Sequence, residues 1–334
     1  MNRWKFIFVL LFLQLLGQLP TVVFAQESEL DSIPKNKRLN RIMFVKTNDE
    51  VHCYRIVKDM DLYRQGWDTL EQVMFWNDVC TLEPEYSAVY DMKTREMFAY
   101  VSTHRWYRCG AAKRSVILDS VRREYGLPAK HELSVAAGRS DFYLFQETIP
   151  NIHKAVDIFI RDKTDPWYAQ AILLIESPGN KIKTSYTGAC GAFQIMPEVA
   201  ADMGLIVNET VDERKDFAKS AKAAAGLLRK SCIPQAKAML NKRGIKFYET
   251  DLWFRLLVMH CYHAGPGNVA TALNKIAPKS GGMWLIQKLW KTSVGGFQNE
   301  SQNYSQIAVA AVYELMKIVE EQGDIICDVK DLEF

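Results

Sequence analysis

Asp165-Pro166-Trp167-Tyr168-Ala169-Gln170-Ala171-Ile172-Leu173-Leu174-Ile175-Glu176-Ser177 is the stretch on which the reading of this chain turns. An aspartate can accept hydrogen bonds from the free amides of a helix start, and proline is tolerated at the first helical position, so a helix begins at Asp165-Pro166. Ala169, Ile172, Leu173 and Glu176 then share one face. Glu176 thus ends an apolar run instead of standing on a charged face. A carboxyl in that setting is partly desolvated, which disfavours its charged form and raises its pKa, as a general acid needs. The plainer account is a carboxylate at a helix end that simply reaches solvent.

The next segment, Gly188-Ala189-Cys190-Gly191-Ala192-Phe193-Gln194-Ile195-Met196-Pro197, puts two glycines, one amide and a proline stop in apolar surroundings. Glycine lets a backbone approach a ligand closely, and Gln194 can donate to or accept from a sugar hydroxyl. On their own the glycines mark no more than a turn before a helix.

Working outward, the second half reads as mainly helical. Helices are expected from Phe217 to Lys230, from Asp251 to His263 and from about Tyr304 to Glu320, the last with Ile307, Ala311, Leu315, Ile318 and Val319 at core-packing spacing. Residues 43–150 mix short apolar runs with one helix, Ala111 to Tyr125, stopped by Gly126 and Pro128. Asp91 to Glu96 sits between two apolar runs as the turn of a hairpin. Gln26 to about Arg41 is polar and reads as a loose leader. There are no internal repeats.

Glu176-Ser177, then Gly188-Ala189-x-Gly191-x-x-Gln194-x-Met196-Pro197, resembles the signature of the soluble lytic transglycosylase (SLT) domain, glycoside hydrolase family 23. Two later blocks fit in order: Tyr262-His263-Ala264-Gly265-Pro266-Gly267-Asn268 resembles the family's Tyr-Asn-Ala-Gly segment, and Glu300-Ser301-x-x-Tyr304 its Glu-Thr-x-x-Tyr segment. The likeness covers about 151–321, with Asn180, Gly204 and the stretch from Asp212 to Ser220 as lesser features.

The resemblance implies a lysozyme-like helical catalytic domain over 151–334, preceded by a smaller mixed α/β region over 43–150 whose role it leaves open. It implies a cleft for the β-1,4-linked N-acetylmuramic acid and N-acetylglucosamine of peptidoglycan strands, and one catalytic carboxyl, Glu176, that protonates the glycosidic oxygen and then takes the proton of the muramyl C6 hydroxyl to leave a 1,6-anhydro end. Ser177, Gln194, Met196, Tyr262, His263 and Tyr304 are the substrate-binding residues implied, with Gly188, Gly191, Gly265 and Glu300 as structural support. No cofactor is implied. Ordinary glycoside hydrolysis needs two carboxylates, and Glu198 and Asp202 are near enough in sequence to keep a goose-type lysozyme hydrolase open. A peptidoglycan-binding scaffold that no longer turns over is the reading from another class.

Two positions depart from the family. His263 stands where asparagine is usual, bringing a group that titrates between about pH 5 and 8. Gly179 stands where an aromatic often follows the Glu-Ser pair, which suggests a more open floor at one subsite.

The remaining features bound the reading. The formal charge is +3, without the clustered basic face of a nucleic-acid binder. Arg3 and Lys5, the apolar stretch Phe6 to Leu16 and Val23-Phe24-Ala25 read as a cleaved secretory signal over 1–25, with no cysteine following to carry a lipid, so export to the periplasm is expected. The seven cysteines are an odd number whose pairing spacing does not give. His260, Cys261 and His263 lack metal-ligand spacing, so no metal is expected. Trp167, Trp253, Trp284, Trp290, Phe247 and Tyr248 read as core or core edge. Residues 43–150 are a candidate surface for an envelope protein partner, and oligomeric state is not legible.

Overall fold

The computed structural model describes residues 41–46, 53–179, 184–322 and 330–331. The expected signal segment, nearly all of the expected leader, Asn180 and Cys327 lie outside them. Residues 39–334 group as one compact unit.

Strands β1 (Arg41–Lys46) and β2 (Cys53–Lys58) pair antiparallel, and β6 (Lys330–Asp331) adds to the free edge of β1. Helix α1 (Glu71–Thr81) follows. A second sheet, in the order β4-β3-β5, is built from β3 (Tyr86–Asp91), β4 (Met97–Ser102) and β5 (Leu133–Ala137). The expected hairpin is β3-β4, and Asp91 organises its turn by accepting from the backbone N–H of Lys93 and of Thr94. Between β4 and β5 run α2 (Thr103–Arg108) and α3 (Ala111–Glu124), the latter close to the expected span and stopped at Gly126, whose φ is +65°.

The rest is helical: α4 (Phe145–Arg161), α5 (Pro166–Glu176), α6 (Pro197–Asp202), α7 (Phe217–Leu227), α8 (Ile233–Asn241), α9 (Leu252–Ala264), α10 (Pro266–Ile276), α11 (Met283–Trp290) and α12 (Asn299–Gln322). Asp165 caps α5 as its sequence predicts, its Oδ1 accepting from Trp167 N at 2.9 Å. The helix expected to run to Lys230 changes character earlier. Pro234 has no N–H to offer and crowds the carbonyl one turn back, and the chain widens into a π turn over Leu228–Cys232 before α8. The last helix starts one turn before Tyr304, at Asn299.

The main core crosses residue 150. Ile42, Met43, Val45, Ile56, Val57, Leu62, Trp67 and Val73 belong to the same buried cluster as Ile172, Leu173, Phe193, Leu256, Val309 and Leu315. A separate small core, Val89, Val121 and Leu133 with Phe98, Leu118 and Val135 against them, holds the second sheet to α3.

Two polar devices fasten the N-terminal strands to α5. Gln170 is fully buried in the middle of that helix, where an unpaired amide would be costly. It accepts from Val57 N at 2.9 Å and donates to Val57 O at 2.8 Å, acting as one more rung on the edge of β2. Arg255 of α9, 2% exposed, donates from Nη1 to Asp59 at 3.0 Å and from Nε to Asp165 at 2.8 Å. One guanidinium therefore joins the end of β2, the cap of α5 and the body of α9.

Among the described residues Cys53, Cys80, Cys109, Cys190, Cys232 and Cys261 are free thiols, and no helix is long and apolar enough to cross a membrane. Removing one partner of a buried ion pair leaves a charge without compensation. Arg255→Ala is expected to lower unfolding free energy by about 3–5 kcal/mol, read from the urea midpoint at neutral pH; a loss under about 1 kcal/mol would show that Asp59 and Asp165 do not depend on it.

Candidate active site

Pro166 through Ile175 are buried on every side of α5. Glu176, the last residue, is half-buried and is the first on that helix to reach solvent. The hydroxyl of Tyr304, from α12 and only 4% exposed, donates to Glu176 Oε1 at 2.8 Å. Desolvation pushes the carboxyl up from 4.5 to about 7, against the pull of that hydrogen bond, which favours the charged form. The charge of Glu176 is in turn felt by three tyrosines from three parts of the chain: burial and then this carboxylate raise the phenols of Tyr262 and Tyr304, while Tyr143 is raised by burial first, then by Cys80, and less by Glu176.

The segment 184–197 forms a tight loop beside this carboxyl. Cys190 and Ile195 exchange backbone hydrogen bonds at 3.1 and 3.0 Å, and Gln194 turns through a left-handed φ of +47° with its Nε2 donating to Gly191 O at 2.9 Å. Gly191 is required: at φ +83° a Cβ would stand 1.9 Å from the carbonyl oxygen of Arg214. Arg214 braces the loop from beneath, donating from Nη1 to Gly188 O at 2.6 Å and to Ile195 O at 3.0 Å while Nε and Nη2 grip Asp212 at 2.9 and 2.8 Å. The sequence signal for that brace is no more than an Asp-x-Arg at 212–214, fifteen residues after the loop ends at Pro197.

Two of the expected cleft residues hold the loop to the helices. Ser177 is 3% exposed and donates to Ala192 O at 2.9 Å, tying the end of α5 to the loop. Tyr262, half-buried on α9, donates to Phe193 O at 2.6 Å. Met196 is half-buried at the start of α6, where Gly188, at φ +93°, leaves its missing Cβ 3.9 Å from Pro197. Gly265, φ +79°, makes the corner between α9 and α10.

His263 is exposed and stacks on the ring of Tyr304 with centroids 4.4 Å apart, so it reaches Glu176 only through the tyrosine. Desolvation by the chain around it lowers its imidazole, and the charge of Glu300, exposed in the first turn of α12, acts in the opposite direction. His260 is a core residue, its Nε2 2.8 Å from Ser305 Oγ. Among the described residues no three His, Cys, Asp or Glu side chains gather as a metal site. Glu198 and Asp202 are exposed on α6, and neither contributes to the titration of Glu176.

The open floor expected at Gly179 is not there. A Cβ on Gly179 would lie 2.8 Å from Leu144 Cβ and 3.3 Å from a carboxylate oxygen of Glu147, and Gly179 N donates to Thr148 at 2.9 Å. Glycine is needed because the start of α4 and the residue before it occupy the volume a side chain would take.

Two outcomes follow from the electrostatics. The folded-state value of Glu176, about 7, lies above its ordinary 4.5, so the proton's stabilisation is fully present below 4.5 and is lost as pH rises to about 7. Glu176→Gln is therefore expected to raise unfolding free energy by on the order of 2 kcal/mol at about pH 8 and by little at about pH 4, in paired urea titrations. Tyr304→Phe removes the bond that favours the carboxylate, so the Glu176 pKa should climb further, visible in an NMR titration of the side-chain carboxyl; a fall would mean the hydroxyl does not donate to it.

Residues 160–281 match the family model described as Transglycosylase SLT domain. No curated protein matches the chain. The matched segment holds Glu176, the glycine loop, Arg214 and Tyr262, while Tyr304 and the N-terminal strands lie outside it. Residues 160–281 are thus similar to the Transglycosylase SLT domain, and the helical, lysozyme-like fold of that domain agrees with the helices found here.

Proposed function

We propose that this protein cuts the β-1,4 bond between N-acetylmuramic acid and N-acetylglucosamine in peptidoglycan and leaves 1,6-anhydromuramyl ends, with Glu176 serving as acid and then as base. The observation that carries the proposal is the state of that carboxyl: pushed up to about 7 by desolvation, with no second carboxylate contributing among the described residues. Near neutral pH about half of such groups hold their proton, and the rest are ready to receive one, which suits a single residue with both roles.

In the first step the Glu176 proton passes to the glycosidic oxygen and the bond from that oxygen to muramyl C1 breaks, with positive charge developing on the sugar ring. The carboxylate left behind faces that charge and keeps the hydrogen bond from Tyr304. In the second step the muramyl O6 bonds to C1 and its hydrogen returns to Glu176. No water enters, and the enzyme ends in its starting protonation state. A hydrolase would need a second carboxylate to position water or act as nucleophile; the exposed positions of Glu198 and Asp202 favour the ring-closing route. Export to the periplasm, where the polymer lies, belongs to the same reading and rests on the basic and apolar pattern of residues 1–25.

The test is mass spectrometry of fragments released from purified sacculi by the protein and by Glu176→Gln. Anhydromuramyl ends, reduced about 10²–10⁴-fold in the variant, are expected. Reducing ends would make the domain a hydrolase. Sacculus binding without fragments from either protein would make it a binding module.

A further inference from the structure

The segment 103–130, comprising α2, α3 and the turn after them, carries seven Lys and Arg residues against Asp119 and Glu124, an excess of five where the whole chain has an excess of three. All the positive excess of the molecule therefore resides in one small lobe, and it lies outside the residues matched to the SLT domain. The lobe stands on its own satellite core of Val89, Val121 and Leu133.

Some of these cations are structural. Arg114 donates to the carbonyls of Trp106 and Tyr107 at 3.0 and 3.1 Å, and Arg122 reaches Asp119 and the carbonyl of His131. Arg105, Arg108 and Lys113 are different. They are exposed, their side chains have no hydrogen bond or ion pair among the described residues, and with His104, Cys109, Gly110 and Ala112 they line one shallow open pocket of about 560 Å³. Apolar groups stand among them without cover: Val116 is 65% exposed and Tyr107 59%. On α3 the exposed residues Lys113, Val116, Ser120 and Arg123 follow one another at spacings of three and four, so cations and an uncovered valine share one face.

Val116 shares its α3 face with Lys113 and Arg123, and Tyr107 lies between Arg105 and Arg108 in α2, so exposed apolar groups and cations occur together on this lobe. An anionic polymer in water would pair with the cations and leave the valine and tyrosine wet. A lipid surface satisfies both: anionic headgroups meet the arginines and lysines, and the short apolar groups sit at the headgroup boundary. We propose that the α2-α3 lobe is a peripheral docking site for anionic phospholipid membranes, engaged through Arg105, Arg108, Lys113, Tyr107 and Val116, which holds the molecule at a membrane surface without spanning it.

The proposal is independent of the cleavage chemistry, and its test keeps the two apart. The full chain is floated with vesicles of phosphatidylcholine alone or containing phosphatidylglycerol, and the ratio of the two affinities is compared with that of Arg105→Gln/Arg108→Gln/Lys113→Gln. The N-terminal segment, with Arg3 and Lys5 ahead of its apolar run, is common to parent and variant, so its contribution cancels when their ratios are compared. Each cation near an anionic surface is worth about 1 kcal/mol, so the triple variant should lose on the order of tenfold to a hundredfold in the ratio. Its thermal melt and its action on suspended sacculi should be unchanged, and Arg105→Lys/Arg108→Lys should keep the preference. Equal binding of both vesicle types by the parent, a preference that survives the triple substitution, or none at low salt overturns the proposal.

Discussion

The guanidinium of Arg255 is the point through which the rest of the molecule is aligned. A helix buried on every side cannot be steered by contacts with solvent, and α5 is such a helix; what fixes its position along its own axis is the polar chemistry at its ends and middle. Arg255 holds Asp165 at the start, Gln170 locks onto the backbone of Val57 halfway, and Ser177 grips the loop just past the finish. Glu176 inherits its place from those three. Since Arg255 also takes Asp59, the register of the helix is shared with strands more than a hundred residues earlier.

The electrostatics of the carboxyl come from surroundings of little charge. Its one polar influence besides burial, among the described residues, is the hydroxyl of Tyr304, and tyrosine at neutral pH contributes a hydrogen bond without contributing charge. Burial raises the Glu176 pKa, and the single bond from Tyr304 keeps it from rising further. His263 stacks on the far face of that tyrosine, in a position to adjust the ring without touching the acid.

How far the residues announced this can be judged case by case. The cap at Asp165, the apolar run and the glycine loop are local patterns, and the helix, Glu176 and the left-handed turns follow from them. Gln170 is not legible as a fastening residue because its partner is 113 residues away, and nothing in a helical window distinguishes a satisfied buried amide from an exposed one. Gly179 suggests open space for the same reason: Leu144, just before α4, fills it, and absent volume in a sequence says nothing of who occupies it. Arg214 braces the loop through backbone carbonyls, which carry no residue identity to find. The second sheet was half legible, as a hairpin, because its third strand, β5, arrives 31 residues after β4 with two helices between.

The amide of Gln170 has a consequence for how the chain can be divided. Residue 150 looks like a seam in the sequence, and the matched segment begins beyond it. Excision there would strip Val57 from Gln170, Asp59 from Arg255 and Leu144 from Gly179 together, exposing a polar group in an apolar helix, a bare charge and a void at Gly179. The matched segment therefore shares part of its interior with the residues before 150, and the helix that carries Glu176 is held from both sides of that seam.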